Sequence, residues 1–160
     1  METRRIAMGG PADVRLHSEA SLRLFNEREA NALVPQLELI FLRLDPKLAR
    51  SRELRELIED SEAYYGEGLA GAAPKDRDSY AHLLEEQTDV DRSLQEDIDA
   101  VLALGCEVKD VHRGLVDFPA RIGNEVAYLC WQRGEARIGW WHSLGGGFAG
   151  RKALIPQTER

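Results

Sequence analysis

Apolar residues along the chain follow two different periods, and the period changes near Gly105. Before this glycine, apolar positions recur every three or four residues, which indicates amphipathic helices. After it, short runs of Val, Leu, Ile and aromatic residues are separated by glycine-containing turns, which indicates antiparallel strands. The pattern predicts an α+β fold with a long antiparallel helical hairpin and a small antiparallel sheet of three or four strands.

The first helix is predicted over about residues 27–65. Asn26 and Glu29 have the spacing of a capping box, in which each side chain binds the backbone N–H of the other residue. Pro35 predicts a bend, since a proline inside a helix cannot donate a backbone hydrogen bond. Asp45-Pro46 has the composition of a cap followed by a first-turn proline, and predicts a kink or a restart of the helix.

A second helix, with an acidic outer face, is predicted over about residues 78–104, after a glycine-rich loop at 66–77. Two apolar stripes of this length are too long for a small sheet to cover. We therefore expect the hairpins of two chains to pack together as a homodimer.

The sheet is predicted over about residues 106–143, and the third of its four segments, EVAYLCWQ (125–132), is apolar on both faces. That segment should therefore lie in the centre of the sheet, with helices on at least one side. Pro119 predicts that the second segment is an edge strand or that it ends there, because proline cannot donate to a ladder. In the last segment, Trp140 and Trp141 should point to opposite faces.

The length of 160 residues fits one domain, over residues 22–155. Residues 1–21 lack apolar periodicity and are expected to form a flexible extension, and residues 156–160 a short tail.

Charge and cysteine usage narrow the classes of partner. The net charge of -7, with basic residues interleaved among acidic ones, argues against a nucleic-acid partner. No apolar run is long enough for a membrane span, and the start of the chain lacks the apolar core of a secretory signal. Two cysteines are too few for a disulfide framework, so a cytoplasmic protein with reduced thiols is expected.

Several short motifs together resemble one known family. They are F-N-x-x-E-A-N-A-L-x-P-x-L at 25–37, E-V-K-D at 107–110, G-L-V-D-F-P-A at 114–120, L-C-W at 129–131, W-H at 141–142 and G-F-A-G-R at 147–151. Their combination resembles the uncharacterised bacterial family numbered 2203 among the domains of unknown function, over about residues 24–152. The resemblance implies no activity and no site.

The glycine cluster at 145–150 reads G-G-G-F-A-G and satisfies the spacing G-x-G-x-x-G. A dinucleotide fold also needs a helix at the loop, a returning strand and an acid about 20 residues further on, and only ten residues follow. Two interpretations remain. The cluster is either a turned loop that leaves the sheet, or an anion-binding concavity of backbone N–H groups beside Arg151.

Polar residues on or just after the apolar strands are the candidate ligand-binding groups, namely Asp110, Asp117, His142 and Arg151. Asp110 and His112 share a strand face, and together with Asp117 or His142 they form a candidate site for a divalent metal ion, with Asp110, His112 and His142 as the preferred set. The alternatives are surface salt bridges, and an Arg151 that pairs with Asp117 or Asp110 and only holds the glycine loop.

Two functional hypotheses follow. The first is a non-catalytic interaction or small-ligand-binding protein that self-associates through its helices. The alternative is a metal-dependent hydrolase with an acid/histidine site on the sheet. No cofactor other than a divalent metal is indicated.

Overall fold

A computed structural model describes residues 23–154, and it confirms the predicted α+β fold with its helical hairpin. The sheet has five antiparallel strands in sequential order. The elements are α1 Glu27–Tyr65, a 3-10 turn Gly66–Gly71, α2 Pro74–Ala103, β1 Glu107–Asp110, β2 Leu115–Ile122, β3 Glu125–Gln132, β4 Trp140–His142, a 3-10 turn Phe148–Gly150 and β5 Lys152–Ala153. The predicted extension, residues 1–21, and the tail, residues 156–160, lie outside the described part.

Helix α1 begins as predicted, because Asn26 Oδ1 accepts a hydrogen bond from Glu29 N at 2.7 Å and Asn26 N donates to Glu29 Oε1 at 3.1 Å. The predicted restart at Asp45-Pro46 is wrong, since α1 continues through this proline as a single helix. The Asp45 carboxylate does not cap a helix. It receives both guanidinium NH2 groups of Arg133, at 2.6 and 2.8 Å, from the end of the sheet.

Helix α2 begins at Pro74, earlier than predicted, because this proline occupies the first turn, where its missing N–H costs nothing. Polar contacts join the helices on one side of the hairpin. Lys47 Nζ lies 2.6 Å from Asp97 Oδ2, and the guanidinium of Arg50 donates to both Glu86 oxygens at 2.7 and 2.8 Å.

Strand β3 is the centre of the sheet, as predicted, whereas β2 is an inner strand and not an edge. Pro119 is tolerated there for a local reason. The C=O of Pro119 accepts a hydrogen bond from Phe25 N at 2.7 Å. The backbone N–H that proline lacks would point to the same side of the strand as this C=O. The β1–β2 ladder ends at Asp117, before this position, so no ladder hydrogen bond is lost. Strand β5 is not predicted from the sequence, because two residues after a glycine segment carry no period.

The main core lies between the helices and one face of the sheet. Phe41 packs on Trp131 with ring centroids 6.1 Å apart, and Phe25 meets Phe118 edge-on at 5.2 Å. Trp141 packs against this core, and Trp140 faces the other way with 40% of its surface exposed. The two adjacent tryptophans therefore lie on opposite faces, as predicted.

The far part of the hairpin extends beyond the sheet. The core cluster that includes the sheet reaches only to Leu48 on α1 and Leu94 on α2. Among residues 23–154, the two helices pack only on each other past these positions, and Leu57 and Leu84 are 40% and 42% exposed.

The turns of the sheet give a test with two matched glycines. Gly114 and Gly123 both have positive φ, of 67° and 60°, but a Cβ on Gly114 would lie 2.5 Å from Arg133 Cβ, whereas one on Gly123 meets nothing within 4 Å. Gly123→Ala should therefore lower the free energy of unfolding by about 1–2 kcal/mol from backbone strain alone. Gly114→Ala should lower it by more, because the clash adds to the same strain. Urea unfolding of both variants measures this, and equal losses would contradict the described packing.

Candidate functional site

Three chemically active side chains meet on the face of the sheet that points away from the helices. Asp117 on β2 lies directly opposite Cys130 on β3, and His142 on β4 lies opposite Tyr128, two residues from Cys130. The exposed fractions of Asp117, Cys130 and His142 are only 2%, 1% and 2%. A buried carboxyl and a buried imidazole need polar partners, and here each is the partner of the other.

The hydrogen bonds of His142 place one proton on Nδ1 and require a second proton within its pair with Asp117. Nδ1 is 2.7 Å from the backbone oxygen of Ser143, which only accepts, so Nδ1 carries a hydrogen. Nε2 is 2.9 Å from Asp117 Oδ2, and an ionised carboxylate also only accepts. The pair must therefore hold one further proton, either on the imidazole or on the carboxyl.

The cysteines of the chain are both free and buried. Burial raises the pKa of Cys130 to about 12, and the charge of Asp117 adds to this effect. Burial also raises the pKa of Cys106 to about 12, and its thiol donates to the oxygen of Val101 at 3.4 Å. Neither thiol is a reactive nucleophile at neutral pH.

A cavity of about 240 Å³ lies over the buried group, between the sheet and the chain segment 143–151. We call this segment, which carries the glycine cluster, the covering segment. Leu144, Phe148 and the backbone of Gly145 and Gly147 line the cavity from above. From the sheet it is lined by Lys109, Leu115, Asp117, Tyr128, Cys130 and His142.

Arg151 holds the covering segment against the sheet. Its NH2 group lies 2.8 Å from each carboxylate oxygen of Glu135, in the β3–β4 connection, and 3.2 Å from the backbone oxygen of Cys130. Its guanidinium carbon is 5.1 Å from the ring centroid of Trp140 and 4.7 Å from that of Phe148. Arg151 thus pairs with neither Asp117 nor Asp110, because Glu135 is the acid that the turn brings beside it.

The side of the cavity formed by β1 carries a paired charge. Lys109 Nζ lies 2.6 Å from Glu107 Oε2 and 4.9 Å from the ring centroid of Tyr128. Partial burial acts to lower the pKa of Lys109, but the hydrogen bond and the charge of Glu107 outweigh it, and the pKa is raised. Burial, followed by the charge of Glu107, raises the pKa of Tyr128 as well. Both groups therefore keep their protons at neutral pH.

The structure brings together some of the predicted site residues and separates others. Asp117 and His142 meet, whereas Asp110 accepts from the backbone N–H groups of His112 and Arg113, at 2.9 Å each. A register irregularity between Val108 and Asp110, followed directly by a turn, occupies the Asp110 side chain locally, and His112 is exposed. The predicted metal set of Asp110, His112 and His142 is therefore not assembled.

Within residues 23–154, the convergent group of metal-binding side chains is Asp117, Cys130 and His142, whose ligand atoms lie within 4.8 Å of one another. From the sequence, Cys130 is expected only to be a reduced thiol, and its place in this group is not predicted. A signal was available, because a two-residue turn at Gly123-Asn124 fixes the β2–β3 register and sets residue 130 opposite residue 117.

The chain belongs to a known family. The profile of the family described as "Uncharacterized conserved protein (DUF2203)" matches residues 23–154, which confirms the resemblance seen in the motifs. The match covers both helices and the whole sheet, and it carries no functional information. No curated protein and no solved structure matches the chain. Among the described residues, no helix is long and apolar enough to cross a membrane.

The Arg151 contact can be tested against a surface arginine. The Arg151 side chain is 11% exposed and Glu135 26%, whereas Arg137, which pairs with Glu27, is 76% exposed. Arg151→Ala leaves a half-buried carboxylate unpaired, and should cost about 1–3 kcal/mol of unfolding free energy. Arg137→Ala should change it by less than about 0.5 kcal/mol. Thermal melts of the two variants measure this difference in stability. Similar melting temperatures would contradict the role of Arg151 in holding the covering segment against the sheet.

Proposed function

We propose that this protein binds a small neutral molecule in the cavity beneath the covering segment. The observation that carries the proposal is the cavity of about 240 Å³ with the buried, proton-sharing pair of Asp117 and His142 at its floor. Ligand sites are typically apolar concavities with a few convergent polar groups, and this cavity has that composition.

The charges around the cavity favour a neutral ligand. Lys109 is paired with Glu107, and the guanidinium of Arg151, which lies outside the cavity lining, is paired with Glu135. Leucine and aromatic side chains supply most of the remaining wall. A suitable ligand therefore has an apolar body and one polar group, which hydrogen-bonds to the carboxyl group of Asp117 in the Asp117–His142 pair. The predicted ligand set thus narrows to these two residues, since Asp110 also lies outside the lining.

Binding is favoured over catalysis by the state of the reactive groups. The Cys130 thiol is held protonated by its raised pKa. Both ring nitrogens of His142 are already engaged, one by Ser143 and one by Asp117. Neither residue is therefore free to act as a nucleophile or as a general base.

We further propose that the protein is a homodimer that associates through its helical hairpins. Leu57 and Leu84 lie at one level of the hairpin, between the Arg50–Glu86 and Glu62–Tyr80 contacts, and both are exposed. A second copy of the chain presents the same exposed leucines. The hairpins of two copies therefore pack as a four-helix bundle, in which each chain contributes the same surface to the interface. Such an interface buries on the order of 2,000 Å² or more.

A cytoplasmic location also belongs to the proposal, and the two free, buried cysteines support it. Reduced thiols of this kind are typical of proteins in a reducing compartment.

Ligand binding is tested with phenol and cyclohexanol, two small neutral alcohols, added to protein treated with a chelator. We expect the ring resonances of His142 to shift on titration, because the alcohol group contacts the Asp117–His142 pair. The exposed His112 is the internal control and should not shift. In the His142→Ala variant, affinity for both alcohols should fall. Unchanged His142 resonances at saturating alcohol would contradict the proposed site.

Self-association is tested by light scattering. The wild-type protein should have twice the chain mass of 18.0 kDa at micromolar concentration. Leu57→Glu combined with Leu84→Glu should give monomers, because four charged side chains would enter the interface. Leu144→Glu is the matched control, since Leu144 is 59% exposed on the opposite side of the sheet. A monomeric wild-type protein would rule out the dimer.

A further inference from the structure

We propose that Asp117, Cys130 and His142 form a zinc-binding site whose fourth coordination position opens into the cavity. The inference rests on the proposed function in one respect, because the cavity is where a bound molecule would meet the metal. The assignment of the three ligands stands on their own geometry.

Three neighbouring strands bring the three candidate ligands together. One carboxylate oxygen, one sulfur and one imidazole nitrogen lie within 4.8 Å of one another, on side chains that are each at least nine-tenths buried. Bonds of about 2.0–2.3 Å at tetrahedral angles place zinc ligands roughly 3.3–3.6 Å apart. The 2.9 Å between Asp117 Oδ2 and His142 Nε2 would open by a few tenths of an ångström, and the sulfur would move inward.

His142 is oriented as a metal-binding histidine is. Metal-bound histidines commonly donate their second ring N–H to a carbonyl or a carboxylate, which fixes the tautomer and aims the other nitrogen at the metal. His142 has this arrangement, because Nδ1 donates to the Ser143 oxygen at 2.7 Å. The lone pair of Nε2 then points at the Asp117 carboxylate. Two facing acceptors require a cation between them, and a metal ion satisfies this requirement as well as a proton does.

The chemistry of the three ligands favours zinc over other divalent metals. A thiolate and an imidazole favour zinc over magnesium and calcium, which prefer oxygen ligands. Three protein ligands with one open position are typical of zinc sites that bind an exogenous molecule, whereas structural zinc sites are closed by four. The open side here is the cavity, since Asp117, Cys130 and His142 all line it.

Zinc binding must displace two protons from the three ligands. The metal bonds to the sulfur, to Nε2 and to a carboxylate oxygen, and the proton of the Cys130 thiol passes to solvent. The proton shared by Asp117 and His142 also passes to solvent. Zinc affinity should therefore increase with pH, as it does wherever ligands must first be deprotonated.

The experiment uses full-length protein, purified without a metal-affinity tag and treated with a chelator, to which zinc or cobalt(II) is added. We expect one metal ion per chain, a higher melting temperature with zinc, and tetrahedral cobalt absorption with a sulfur-to-cobalt charge-transfer band. Because loss of an outer-shell partner already costs about 10–100-fold in affinity, Cys130→Ser should weaken zinc binding by at least about a hundredfold. It should also abolish the charge-transfer band.

Each ligand has a matched control elsewhere in the chain. Cys106 is the other buried cysteine, so Cys106→Ser should keep the band and the affinity. Asp110→Asn and His112→Ala likewise should bind zinc as the wild type does, whereas Asp117→Asn and His142→Ala should not. If a ligand variant fails to fold, the wild-type band together with its retention in Cys106→Ser still identifies Cys130 as the sulfur ligand.

Any one of three results would overturn the zinc site. They are no zinc binding by the wild type, cobalt binding without a sulfur-to-cobalt band, and a band that survives Cys130→Ser. The alcohol titration is performed without metal, so it reports on the cavity separately. Alcohol binding without zinc binding would refute only the metal site, whereas zinc binding without alcohol binding would refute only the neutral-ligand proposal.

Discussion

The central strand β3 is apolar on both faces, and this constraint determines what must surround the sheet. Leu129 and Trp131 point into the helical core, while Tyr128 and Cys130 point the other way. The hairpin can cover only one of these faces. Because exposed apolar surface is unfavourable in water, the other face needs a cover of its own, and the only described chain that remains after β4 is the segment 143–154. The covering segment is thus a consequence of a sheet that is buried on both sides.

Burial of the Asp117–His142 pair depends in turn on how that segment is held. Arg151 joins it to Glu135 in the β3–β4 connection and to the backbone of Cys130, next to the buried pair. Trp140, which faces away from the helices, supplies one aromatic surface for the guanidinium, and Phe148 of the segment supplies the other. Arg151 therefore connects three parts of the chain, namely the covering segment, strand β3 and the β3–β4 connection. An ion pair that is only partly exposed keeps more of its strength than a surface pair does.

The sequence predicted those parts of the fold whose cause is local. The capping box at Asn26 and Glu29 and the apolar periods placed α1 and the strands, since caps and periodicity act over a few residues. The restart at Pro46 failed because the packing of the long helix outweighed a local signal, and because Asp45 had a distant partner in Arg133. The site was predictable in part. Asp117 and His142 were found as polar groups on apolar strands, but Cys130 required the exact pairing of β2 with β3, and Glu135 required the three-dimensional path of the turn.

The glycine cluster can now be explained by the surfaces that it separates. A Cβ on Gly146 would lie 2.8 Å from Ser143 Oγ, so a side chain there would require this hydroxyl to rotate away, and Gly147 has a positive φ of 57°, which favours glycine in the turn after β4. Gly145 and Gly147 line the cavity, and a Cβ on either would meet nothing within 4 Å. Larger side chains at these two positions could occupy space that is now open above the buried pair. Gly145, Gly146 and Gly147, which lie in the stretch that satisfies the nucleotide-binding spacing, thus allow a close turn on one side and leave a cavity on the other. Phe148 and Leu144 then supply the apolar contacts that the glycines lack.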